Sequence, residues 1–386
     1  MIRVLHYVGN MNRGGMETFI MNLYREIDRN KVQFDFAIHG SVVGDYESEI
    51  VSYGGKAYYF PHMRKNPLKY RKTWREFWKQ NGKEYTVFHM HTNSLANIIA
   101  LEEATKANIP IRIVHSHSSM ANKGQLQWLN DFLHKRNQKR LGKLATDLFA
   151  CSDKAAKWLF GEQKTSGLSV RQINNGIDTA KFRFNPEIRR QIRGNMGLEH
   201  HKVIGHIGAF IPVKNHKFLV DVVEQMYKKD SSIRCILIGT GDLCDEIKRI
   251  VRQRGLEHVI LFLGVCANVN ELLSAMDLFL MPSFYEGLPV SLVEVQTNGV
   301  PALVSDSITK DVKMKNNLHY ISLSESSEDW ADEALRLLSE GNREINIDVI
   351  IENGFDIKST VSVYEEIIMK GRARYAADET KRARIN

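Results

Sequence analysis

Short apolar runs bounded by turn residues alternate with longer amphipathic stretches along almost the whole chain. In the first half the runs fall at residues 4–8, 34–38, 87–90 and 111–114. Each is short and rich in Val, Ile and Phe, which predicts strands, and the stretches between them predict helices. The rhythm restarts at 203–207 and continues through 235–238, 259–263, 278–281 and 302–304. Strand and helix in alternation, twice over, predict an α/β chain of two doubly wound, Rossmann-like parallel sheets. The turn-rich string Asn174-Asn175-Gly176-Ile177-Asp178 marks the break, giving domains at 1–177 and 178–354 with a C-terminal segment at 355–386. The linker and the cleft are expected around 175–200, and the charged end from 370 is expected to fray.

At 386 residues, 43% hydrophobic and 25% charged, the chain suits two soluble domains, each with its own core. No apolar run approaches the roughly 18 to 20 residues that span a bilayer. The first residues read as a buried strand rather than a signal peptide, so the protein is expected to stay in the cytoplasm. Four cysteines, at 151, 235, 244 and 266, lie far apart and indicate neither a disulfide framework nor a zinc site.

A formal charge of +8 calls for an acidic partner: nucleic acid, anionic lipid or a phosphate-bearing substrate. Between Arg64 and Glu84 eight Lys/Arg face two acidic residues and interleave with Tyr70, Trp74, Phe77 and Trp78; Lys123 to Lys143 adds six basic residues against Asp131. Two readings of the first stretch stand side by side: a basic aromatic helix lying on an anionic membrane, or an outer helix with its aromatics in the core. No nucleic-acid motif accompanies the charge.

The candidate chemistry centres on Pro282-Ser-Phe-Tyr-Glu286-Gly-Leu-Pro-Val-Ser-Leu-Val-Glu294, where two carboxylates eight positions apart bracket a Gly/Pro turn. The turn follows a strand and opens a helix, with Pro289 at its first position and Asn298-Gly299 at its close. Glu286 then lies in the loop and Glu294 on the helix. Backbone N–H groups at such a helix start, with the helix dipole, favour an anionic diphosphate.

Further candidates end other strands. Gly14-Gly15 lets the backbone approach a ligand, without the G-x-G-x-x-G fingerprint of NAD or FAD enzymes. His89-Met90-His91 and His115-Ser116-His117 cap two strands, where ligands of open α/β sheets bind; such a pair suits a base, a hydrogen-bonded core or a metal, and the pattern does not separate His115 from His117. Lys214 aims a cation where a leaving diphosphate needs compensation. Val265 ends a strand that offers backbone groups to a nucleobase. No Asp-x-Asp pair follows a strand, and the basic groups supply positive charge, so no metal is expected.

Taken in order, Gly14-Gly15-x-Glu17, the strand ending at His115, Asn175-Gly176-Ile177-Asp178, Lys214-Asn215-His216, Gly239-x-Gly241 and Glu286 through Glu294 closely resemble glycosyltransferase family 4. The wording around Glu286 and Val304-Ser305-Asp306 looks most like the bacterial branch that builds exopolysaccharide and capsule. The resemblance implies the GT-B fold, two Rossmann-like domains facing a cleft, with a C-terminal helix crossing back to the first. It implies retaining transfer of a hexosyl or N-acetylhexosaminyl group from a nucleotide sugar, UDP-linked by family tendency, to a saccharide or lipid-linked acceptor at the inner membrane face. Glu294 would hold the ribose, Glu286 the donor sugar, and the amides of Gly287, Leu288, Pro289's neighbour Val290 and Ser291 the sugar or diphosphate. Lys214 would neutralise the diphosphate, Gly15 would approach it, and His115 or His117 would stand near the reacting sugar. The family usually carries arginine where this chain has Ala209; His206, Arg171 or Arg183 are the substitutes the sequence offers. Two alternatives follow: a sugar-nucleotide epimerase or hydrolase of the same architecture, or a silent partner that binds a nucleotide sugar without turnover.

Overall fold

The structure, a computed structural model, describes residues 1–63, 65–118, 127–161, 168–344 and 346–383, with side chains to residue 375. Arg64 and Lys123 lie outside the described residues. The chain forms two compact units, Met1–Gly176 with Ile357–Asn386, and Ile177–Asp356.

In the first unit seven strands pair in parallel: β1 (Ile2–Val8), β2 (Val32–His39), β3 (Ala57–Phe60), β4 (Val87–Thr92), β5 (Ile111–Ser116), β6 (Asp147–Ala150) and β7 (Val170–Gln172). Their order is β3-β2-β1-β4-β5-β6-β7. One face of the sheet is closed by the helix Gly15–Glu26 and the C-terminal helix Ile357–Ala383, which contributes Ile357, Val361, Tyr364, Ile367 and Ile368. That helix runs through the segment expected to fray. Its buried residues, Ile357 to Ile368, recur every three or four positions and anchor the helix N-terminal to that segment.

The opposite face is closed by the helix Pro67–Asn81, started by the Asn66 side chain accepting from Lys69 N–H and by proline in the first turn. Tyr70, Trp74, Phe77 and Trp78 are all buried in this core, and the Trp74 and Phe60 rings stack with centroids 4.0 Å apart. Burial of each large ring is worth about 1.5–3 kcal/mol. The reading of this helix as a membrane-lying element is therefore corrected: its aromatics are committed to the sheet.

The second unit holds β8 (Lys202–Ile207), β9 (Ile233–Ile238), β10 (Ile260–Gly264), β11 (Leu278–Met281), β12 (Ala302–Ser305) and β13 (Leu318–Ile321), all parallel, in the order β10-β9-β8-β11-β12-β13. The region expected to be linker carries two helices of this unit instead, Thr179–Phe182 and Pro186–Met196. In both sheets the strand order reverses beside the first strand, between β1 and β4 and between β8 and β11. At such a switch point the connections leave in opposite directions and open a crevice at the strand ends.

Candidate active site

The crevice of the second unit is lined by the segments that follow β8 and β11. After β8, a short 3-10 turn, Pro212–Lys214, ends at Asn215 in the left-handed conformation (φ 54°). Phe284 N–H donates to Val213 O at 2.9 Å, joining this turn to the loop after β11. Lys214 Nζ then meets Glu286 Oε1 at 2.6 Å, with the side chains only 15% and 13% exposed. Gly239, at φ 137°, lets the segment after β9 press on the Gly208 carbonyl, a place no Cβ fits. Ser283 Oγ, His206 Nε2 and both ring nitrogens of His216 are buried nearby in the chain without a protein partner among the described residues.

The helix Val290–Asn298 starts one residue later than expected, with Pro289 as the flanking residue and no side chain capping its first turn. Its leading N–H groups are thus open to a ligand. It ends at Gly299 (φ 83°). Leu288 and Pro289 are buried, whereas Gly287, Val290, Ser291 and Glu294 are half-buried and Val265 is exposed. Burial pushes the Glu294 carboxyl up to about 7, against the weaker opposing pull of Lys181.

In the first unit the switch point gathers histidines. Parallel register sets His6 opposite His89 and His91 opposite His115, and alternation puts all of them with His117 on one face. His6 Nδ1 lies 2.9 Å from His91 Nε2, His91 Nδ1 2.8 Å from His117 Nε2, and His89 Nε2 3.2 Å from His115 Nδ1. Two triads, His6-His89-His91 and His91-His115-His117, bring ligand nitrogens within 4.8 Å of one another. Within each triad one pair of nitrogens is already hydrogen-bonded, His6 with His91 and His91 with His117. Burial lowers every one of the five pKa values, those of His6 and His117 to about 3. The helix Gly15–Glu26 begins at the end of this region, with open space where a Gly15 Cβ would be.

Residues 13–181 match the family described as Glycosyltransferase Family 4, and residues 188–353 match the one described as Glycosyl transferases group 1. A putative glycosyltransferase of Bacillus subtilis (strain 168), EpsF, is 36% identical over 364 residues, which is 93% of this chain and 94% of that protein. The chain belongs to glycosyltransferase family 4. Another relative, the Staphylococcus aureus capsular polysaccharide biosynthesis glycosyltransferase CapH, is 26% identical over 375 residues, 96% of this chain and 99% of its own. Among solved structures, Anabaena HepE in complex with UDP-glucose superimposes with a TM-score of 0.78 at 16% identity, covering 96% of this chain and 100% of HepE. The fold is GT-B, two α/β parallel-sheet domains of Rossmann type.

Within this family 4 chain the structure joins Lys214 to Glu286 and His115 to His117, whose rings lie 4.0 Å apart. It also brings in His6 and Tyr364, which sequence reasoning missed. His6 sits mid-strand with no local signal, and Tyr364 is 275 residues from the His89 it bonds at 2.8 Å. Only strand order and the returning helix place them.

The raised Glu294 carboxyl has a stability consequence. An unfolded chain ionises it from about 4.5 and the folded one only from about 7, so its contribution falls as pH rises between them. Glu294→Gln is expected to melt a few degrees higher than wild type at pH 8 and no higher at pH 4, about 1 kcal/mol corresponding to roughly 2–4 °C. Equal melting temperatures at pH 8 would show that the carboxylate is not desolvated.

Proposed function

We propose that this protein is a retaining glycosyltransferase that moves a hexosyl or N-acetylhexosaminyl group from a UDP-sugar to a saccharide or lipid-linked acceptor in cell-surface polysaccharide synthesis. The observation that carries the reading is the Lys214–Glu286 pair beside an uncapped helix start at a switch point. Lys214 spends one of its three N–H donors on Glu286 and has others for diphosphate oxygens; Glu286 keeps an oxygen for a sugar hydroxyl. Pairing makes each charge tolerable in its half-dry setting and holds both where charge develops. The departing phosphate oxygen takes the acceptor proton on the face it leaves, so no separate base is required. The amides of Gly287, Leu288, Val290 and Ser291 share the diphosphate charge with Lys214, and Glu294 holds the ribose. Because these groups already compensate the leaving charge, no metal enters this scheme.

Ala209 is exposed, where the family usually has arginine. Of the proposed substitutes, His206 is excluded as a cation: burial and the neighbouring His216 hold its pKa far below 6.5, and its Nδ1 bonds Leu280 O at 2.7 Å. Arg183 is exposed beyond the short helix Thr179–Phe182, and Arg171 belongs to the first unit. With His206 excluded, this scheme places the diphosphate charge on Lys214 and the helix start, and Arg171 and Arg183 stay as the candidate substitutes.

CapH supports the polysaccharide assignment by its name, and HepE the UDP-sugar by its bound ligand. A peripheral contact with anionic membrane rests on the helix Gln127–Gln138, where Trp128 and Phe132 are 70% and 61% exposed one turn apart beside exposed Lys135 and Arg136. Among the described residues no helix is long and apolar enough to cross a membrane.

The test is a panel of UDP- and GDP-sugars with purified protein and membrane extract in excess EDTA, read by mass spectrometry. Nucleotide release with a new UDP-sugar-derived glycolipid is the expected result. Binding without release would favour the silent partner, and loss of activity on chelation would overturn the metal-free scheme.

A further inference from the structure

Four buried imidazoles and the half-buried His117, on one sheet face, form two separate hydrogen-bonded chains. One runs from Tyr364 Oη to His89 Nδ1 (2.8 Å) and from His89 Nε2 to His115 Nδ1 (3.2 Å). The other runs from His6 through His91 to His117. Burial keeps all five rings neutral. Each ring then carries one proton and can donate at one nitrogen only, accepting at the other. Such a chain has a direction: setting the tautomer at one end sets it along the whole.

In the Tyr364 chain the end decides. Burial raises the phenol pKa well above 10, so the phenol keeps its proton. His89 is its only hydrogen-bond partner among the described residues. If the phenol donates to His89 Nδ1, His89 carries its proton on Nε2 and donates to His115 Nδ1, and His115 carries its own on Nε2. One group remains unsatisfied, His115 Nε2–H, which is buried without a partner. The reverse order strands two groups, the phenol proton and a bare His115 Nε2, and unsatisfied buried polar groups are costly. The His6 chain has no such anchor. His6 Nε2 has no partner and its ring lies 4.2 Å from that of Phe34, while His117 Nδ1 is also unpartnered.

We propose that Tyr364 on the C-terminal helix is a positioning residue: through His89 it fixes His115 as an N–H donor at Nε2. A ligand oxygen reaching that end, a sugar hydroxyl or a phosphate, must accept a hydrogen bond there. His117, at the unanchored chain, can take either tautomer and so can accept or donate. The catalytic consequence rests on the transferase reading above; the tautomer assignment does not.

Nitrogen-15 NMR of histidine-labelled protein reads the tautomers, with the His115 signals assigned by their loss in His115→Gln. His89 and His115 are expected as Nε2–H tautomers in wild type. Tyr364→Phe is expected to move His115 toward the Nδ1–H form with circular dichroism unchanged, and to lower kcat about ten-fold or more, as a wrong tautomer does. The donor KM should change by less than about two-fold, since ground-state contacts remain. A wild-type His115 protonated on Nδ1 overturns the proposal without any variant, as does an unmoved tautomer in Tyr364→Phe. Wild-type protein with the expected tautomers but no transfer defeats the transferase reading and leaves the assignment standing.

Discussion

Lys214→Ala and Glu286→Ala should each lower transfer by about 10²–10³-fold, the range for removing one preorganised group that stabilises developing charge. Their other effects should diverge. On the proposed roles, Glu286→Ala would remove a contact to the sugar and should leave UDP affinity within a few-fold, whereas Glu294→Ala should chiefly weaken UDP. Lys214→Ala would, on the same reading, remove a diphosphate contact, and it strands a carboxylate in a site where it is only 13% exposed. Breaking a largely buried pair from one side costs about 3–5 kcal/mol at full burial, and less here in proportion to the remaining exposure. The double variant should therefore regain stability over Lys214→Ala without regaining turnover. Calorimetry with UDP, steady-state kinetics and urea denaturation separate the three quantities. If Glu286→Ala lost UDP binding and transfer equally, Glu286 would belong to the nucleotide and the division of roles would fail.

Much of this site was legible because its pieces are local. Pro289, Gly299 and the strand before them are turn and cap chemistry, read from neighbours in sequence, and Glu286 and Glu294 take their places from that frame. The Lys214–Glu286 contact was not legible, since it depends on β8 lying beside β11. The same distinction runs through the fold. The central strands announce themselves as apolar runs. β3 (AYYF), β6 (DLFA), β7 (VRQ) and β13 (LHYI) are three or four residues long, and β3, β7 and β13 are sheet edges. Asn185-Pro186 looked like linker because turns and helix caps draw on the same residues; here the Asn185 side chain accepts from Glu187 and Ile188 N–H and starts a helix. Trp128 and Phe132 were overlooked for the opposite reason. The richer aromatic run around Trp74 drew the membrane reading, yet a run that dense is what a sheet face buries.

The histidine face sets the second large effect. At pH 5 the first unit is expected to have lost most of its stability and the second a smaller share, since burial also depresses His206 and His216 there. Unfolded, each imidazole takes a proton below about 6.5; folded, His6 and His117 do so only near 3, and burial holds His89, His91 and His115 well below 6.5 too. The contribution is thus complete above 6.5 and falls as pH drops toward the folded values. At about 1.4 kcal/mol per pH unit per proton, each ring costs about 2 kcal/mol at pH 5. Five rings approach the 5–15 kcal/mol of a typical domain, even after discount for coupling and partial solvation. No carboxylate is hydrogen-bonded to any of the five among the described residues; their ring neighbours include Phe19, Phe34, Phe36, Phe149 and Tyr364. Trp74, Trp78, Trp128 and Trp158 lie in the first unit and Trp330 in the second, so tryptophan fluorescence in urea at pH 7.5, 6 and 5 reports mainly the first. His6→Phe, at the ring already packed on Phe34 and Phe36, should remove about 2 kcal/mol of the loss at pH 5. Stability that stayed level from pH 7.5 to 5 would mean that the rings protonate without unfolding, and with them charged neither imidazole chain could hold the one-proton-per-ring order that directs His115.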